Sequence, residues 1–125
     1  MPEDYAYAVL RLVPDVERGE RLNVGVALFC RRAGFLGLRT ALDPARVRAL
    51  APAADLGAVQ DHLARLEAIA AGDPAAGPLA ALPPSDRFGW LTAPSSTVVQ
   101  PGEVHTGLCE DPAATLERLL SRLVR

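Results

Sequence analysis

The first ten-residue run without Gly or Pro, Asp4 to Val13 (DYAYAVLRLV), mixes aromatic and β-branched residues at a density typical of a strand. Tyr5, Tyr7, Val9, Arg11 and Val13 fall on one side, and Ala6, Ala8, Leu10 and Leu12 on the other. Both sides are largely apolar, which predicts a central strand with helices covering at least one face. Pro14 ends the run. The polar segment PDVERGER follows, with Gly19 able to take positive φ, and LNVGVALFC is again strand-like. Gly25 within it reads as a bulge or a close backbone approach. Arg31 to Gly34 forms a second turn and FLGLRTAL a third strand, so an antiparallel meander is predicted over 4–42.

Helical periodicity takes over at Asp43. Its carboxylate can cap exposed amides while Pro44 fills the first helical position, and a short helix is predicted there. Asp55 is a second cap, and Leu56, Val59, Leu63, Leu66 and Ile69 recur at three- and four-residue steps up to Gly72. The segment DPAAGPLAALPP (73–84) reads as a surface connection. From Arg87 to Gly102 the pattern is strand-like but broken at Pro94, which predicts two short extended pieces at a sheet edge. Asp111 and Pro112 repeat the cap signal ahead of a helix with Leu116, Leu119, Leu120, Leu123 and Val124 on one stripe. The sum is an α+β domain over 1–125, a mainly antiparallel sheet with helices packed on one face.

Composition narrows the class further. A chain of 125 residues that is 50% hydrophobic can build its own core, so no metal or disulfide staple is required. The net charge of -2 argues against a dedicated nucleic-acid binder. All 13 basic residues are Arg, which we attribute to the codon bias of a GC-rich genome. The start, Met1-Pro2-Glu3-Asp4, lacks the basic beginning of a signal peptide, and no apolar run approaches the roughly 20 residues of a membrane span. A cytoplasmic protein is expected, with Cys30 and Cys109 as free thiols packed like small hydrophobes.

Candidate chemistry concentrates late in the chain. Arg87, Trp90, Thr92, Ser95, Ser96, Thr97, Gln100, His105 and Thr106 crowd a stretch where apolar content falls. Folding back around Pro94 and Pro101 would let hydroxyls, guanidinium and imidazole converge on an anionic or amide-bearing group. The simpler reading is of loops that satisfy their own backbone, with Trp90 in the core, since loop composition explains most such clusters. His105 is the natural general acid or base of a small hydrolase, yet no G-x-S-x-G elbow surrounds Ser95 or Ser96. Cys30 and Cys109 lack the C-x-x-C step that organises zinc, and no nucleotide fingerprint is present, so neither metal nor cofactor is expected. His62 reads as a solvated helix residue. The hairpin tip VERGER, with Glu17, Arg18, Glu20 and Arg21, is either solvated or a partner-docking finger.

The order YAYAVLRLVP, VERGERLNVGVALFC, RFGWLTAPSSTVVQPGEVHTG and a closing EDP helix resembles bacterial domain-of-unknown-function family 3037 over nearly the whole chain. The resemblance implies no established activity. It marks Arg11, Pro14, Glu20, Asn23 and Gly25 in the first block, and Arg87, Ser96, Thr97, His105 and Gly107 in the second. Because members are often encoded beside HipA-like kinases, it also implies an accessory or regulatory role toward such a kinase. The resulting expectation is a noncatalytic binding domain using Arg11, Glu20, Asn23, Arg87, Ser96, Thr97 and His105, with Asn23, Arg87, Ser96 and His105 as neighbours. The alternatives are the His105 enzyme and a homodimer formed through an uncovered strand edge.

Overall fold

A computed structural model describes residues 1–95 and 97–125. Three strands, β1 (Glu3–Leu12), β2 (Leu22–Cys30) and β3 (Phe35–Thr40), form the expected antiparallel meander, with β1 paired to β2 and β2 to β3. The free side of β1 is shared by two short antiparallel strands. β4 (Val99–Pro101) lies against its C-terminal end and β5 (His105–Cys109) against its N-terminal end. Between them the Gly102 N–H donates to the Val9 carbonyl at 2.7 Å, so the ladder continues across the interruption. β1 is thus central, as its two apolar faces require.

The register of β1 on β2 slips once. Leu10 faces Gly25 while Arg11 faces Asn23, which leaves Val24 as the extra residue of a bulge. Gly25 is needed there because a β carbon would lie 3.0 Å from the Arg39 carbonyl and 3.1 Å from the Thr40 methyl on β3. The slip also changes which face β2 presents. Leu22 and Val24 join one core, Val26, Leu28 and Cys30 the other, and the side chain of Asn23 turns to the second face.

Aspartate caps set the helices. Asp43 accepts from the Ala45 and Arg46 amides at the head of α1 (Pro44–Leu50), Asp55 from Ala58 at α2 (Leu56–Ala71), and Asp111 from Ala114 at α4 (Pro112–Leu123). Gly72 closes α2 at φ 74, where its lack of a β carbon avoids strain. The connection after it contains two short 3-10 turns, Pro74–Ala76 and Pro78–Ala81. The strand-like reading of Arg87 to Leu91 gives way to helix α3 (Pro84–Leu91). Pro84 occupies its first turn with Asp86, while Phe88 and Leu91, three apart, reach the core; Phe88 stacks on Phe29 at 5.6 Å. Tertiary burial of that pair outweighs the weak strand preference of the aromatics.

The helices divide between the faces rather than sharing one. Val59, Leu63, Leu66 and Ile69 of α2, with Phe88 and Leu91, cover Leu10, Leu12, Val24 and Ala27. Leu116, Leu119 and Leu120 of α4 cover Tyr5, Val26, Leu28 and Cys30 on the opposite face. The reason lies in β2, where five consecutive residues, Val24 to Leu28, are buried and so both faces need a partner. Each fully buried aliphatic side chain contributes roughly 1.5–3 kcal/mol relative to exposure. No helix among the described residues is long and apolar enough to cross a membrane.

Candidate functional site

The polar residues singled out by sequence do not form one recess. Arg87, on α3, donates Nε to the Leu82 carbonyl at 2.9 Å and Nη1 to the Ile69 and Ala70 carbonyls at 3.2 and 2.6 Å. These last two are end carbonyls of α2, so the guanidinium acts as a clamp on that helix terminus. Asn23 makes a comparable contact on the other face, donating Nδ2 to the Leu123 carbonyl of α4 at 3.0 Å. Arg46 adds a bond to the neighbouring Val124 carbonyl. The sheet lies between Asn23 and Arg87, and each side chain is occupied by main-chain oxygen.

Arg11 pairs across the ladder with Asn23 and Gln100 and lies over Gly102, where a β carbon would stand 3.0 Å from its Cζ. Tyr5 covers Gly107 in the same manner, at 2.7 Å from the β carbon that glycine lacks. His105 is exposed, with its ring 5.4 Å from that of Tyr7, and it makes no side-chain hydrogen bond among the described residues. Thr97 Oγ1 donates to the Val99 carbonyl and shares a bond with Ser95 Oγ, both at 2.8 Å. Ser96 lies outside the described residues. Trp90, given a place in the core by one reading of the sequence, is 44% exposed on the outer side of α3.

Concavity occurs elsewhere, at the C-terminal end of β1. Past Pro14 the chain turns on Asp15, whose Oδ1 accepts the Glu17 and Arg18 amides, and Gly19 completes the turn at φ 72. This places Arg18 against Glu20, with Nε 2.5 Å from Oε1. Opposite stands the α1–α2 connection, Ala51-Pro52-Ala53-Ala54, held by the Ala54 amide on the Ala51 carbonyl at 3.1 Å. Asp55, Ala58, Val59 and His62 of the first turns of α2 form the next wall, and Val98 and Val99 the third. Enclosed is an open cleft of about 710 Å³, within the size range of ligand sites.

Its floor is apolar, from the buried Leu12, Val59 and Val99 and the half-buried Leu50, with Pro52, Ala58 and Val98 exposed on the walls. Its rim carries Asp15, Arg18, Glu20, Asp55 and His62. The hydrogen bond to Glu20, that residue's charge and then the charge of Asp15 raise the Arg18 pKa, so this cation is already engaged. Of the residues proposed from sequence, Glu20 borders the cleft together with Arg18 of the same hairpin tip and the family-marked Pro14. The others were missed because small side chains make the space: Ala51, Ala53, Ala54 and Ala58 advertise no chemistry. A readable signal was a run of small residues just before the Asp55 cap, in a chain with a charged hairpin tip.

Elsewhere the two thiols are buried in the core under α4. Burial first, and the neighbouring Cys30 second, push the Cys109 thiol above its ordinary pKa, with Thr115 acting in the opposite direction. No group of three or more His, Cys, Asp or Glu placed to hold a metal ion occurs among the described residues. Comparison with curated proteins and with solved structures finds no match for the chain. A family model does match, over residues 7–124, and its description is a protein of unknown function, DUF3037. With nearly its whole length covered, the chain belongs to the DUF3037 family.

Proposed function

We propose that the protein is a noncatalytic binding domain that receives an apolar group of a protein partner in the cleft between the β1–β2 loop and the α1–α2 connection. The supporting observation is the cleft itself: a concave surface with exposed apolar walls at Pro52, Ala58 and Val98 above a floor of core residues, inside a charged rim. A HipA-like kinase, the partner implied by the family, is the first protein to try. Rim charges suit orientation and encounter, while the exposed apolar walls supply affinity. The alternative, a small hydrolase using His105, rests on an exposed imidazole beside Tyr7, outside the cleft lining.

Ala58 projects from α2 at the cleft wall, and a larger side chain there fills the space without disturbing the Asp55 cap, which uses only the Ala58 backbone amide. The neutral dye Nile red reports on such a site. Its fluorescence should rise with the native protein and return to background with Ala58→Trp, at unchanged far-ultraviolet circular dichroism. Equal dye binding by the native and Ala58→Trp proteins would overturn the assignment.

A further inference from the structure

Resting on that cleft reading, we infer that the partner segment is cationic: an apolar side chain flanked by Lys or Arg. The rim holds three carboxylates, Asp15, Glu20 and Asp55, against a single guanidinium, Arg18. That guanidinium is bonded to Glu20 and also feels the charge of Asp15, so it offers little to an incoming anion. Asp15 and Asp55 each give one oxygen, Oδ1, to backbone amides, at Glu17 and Arg18 and at Ala58 respectively. Those amides fix both carboxylates at the mouth, and a carboxylate has lone pairs beyond the ones used.

The three acids come from separate stretches of chain, the hairpin loop and the α2 N-cap, yet border one apolar floor. A ligand bringing positive charge to this rim gains on both counts, and an anion meets repulsion before it reaches the floor. The anionic ligand considered from the sequence is therefore the wrong sign for this cleft. Because the rim is exposed, the preference should be strongest at low ionic strength and fade as salt screens it.

The test uses two fluorescein-labelled peptides with the same central Leu-Leu pair, one flanked by Arg and one by Glu, in polarisation titrations with the full chain. At 25 mM salt the Arg-flanked peptide should bind at least tenfold more tightly, and 300 mM salt should remove most of the difference. Asp15→Asn, Glu20→Gln and Asp55→Asn combined, which retain the capping oxygens, should abolish the preference. Equal binding of both peptides, tighter binding of the Glu-flanked one, or no peptide binding would overturn the inference. Nile red binding that persists in any of those cases leaves the cleft reading intact, whereas its loss to background in the native chain removes both.

Discussion

Replacing Arg87 separates a structural clamp from a recognition residue. Its guanidinium makes three bonds, to Leu82, Ile69 and Ala70 carbonyls. The Ile69 carbonyl also accepts from the Gly72 amide, and the Ala68 carbonyl from Asp73. The Ala70 oxygen, at 2.6 Å, depends on Arg87 alone for a side-chain donor. Hydrogen bonds to a charged group contribute about 1.5–3 kcal/mol each, but freeing the side chain returns about 2 kcal/mol of rotamer entropy. Water can reach part of this half-buried site. Arg87→Ala should therefore cost about 2–4 kcal/mol, or roughly 8–15 °C in Tm for a chain of this length. Arg87→Lys keeps the charge near the helix terminus but not the fork, and should cost about half as much. Urea unfolding followed by circular dichroism measures both, with the slope unchanged. A loss under about 1 kcal/mol for Arg87→Ala, or equal losses for the two variants, would refute the clamp.

Two further outcomes follow from the core. Gly107→Ala places a methyl 2.7 Å from the ring of the buried Tyr5, and overpacking of this kind should cost about 1–3 kcal/mol. Combined with Tyr5→Ala, the added cost of Gly107→Ala should vanish in a double-mutant cycle; a strictly additive pair would contradict the contact. Cys30 and Cys109 should resist a thiol reagent such as dithionitrobenzoate in the native protein and react on unfolding, since only the thiolate attacks. The linked pH effect has a definite sign. Burial raises the folded pKa of Cys109, so the unfolded thiol ionises first, and stability should fall as pH rises beyond about 8.5 while remaining unaffected by this group below. A thiol that reacts at the same rate in native and unfolded protein would contradict it.

The meander and three of the four helices were legible because their signals are local. Asp-Pro starts, the Leu stripe of α4 and the Gly72 stop each depend on neighbouring residues, and the strands follow from runs rich in aromatic and β-branched residues bounded by Pro14 and Gly34. Helix α3 was not legible in this way, since its Phe and Trp read as strand until Phe88 finds Phe29 across the fold. The division of helices between faces depends on a one-residue bulge at Val24, which inverts part of β2. Arg87 and Asn23 looked like ligand-binding groups because helix-end carbonyls and a partner's oxygens attract the same donors. The cleft escaped notice for the converse reason: it is shaped by alanines, and its charged rim is assembled from two distant segments.

Most direct is a methyl-resolved NMR titration of the native protein with indole, a neutral apolar probe. The account predicts that the methyl signals of Leu12, Leu50, Val59, Val98 and Val99 move together along one saturating isotherm, and that Ala58→Trp abolishes the movement. Shifts centred instead on Tyr7, Arg11 and His105, or none in the five lining residues, would contradict it.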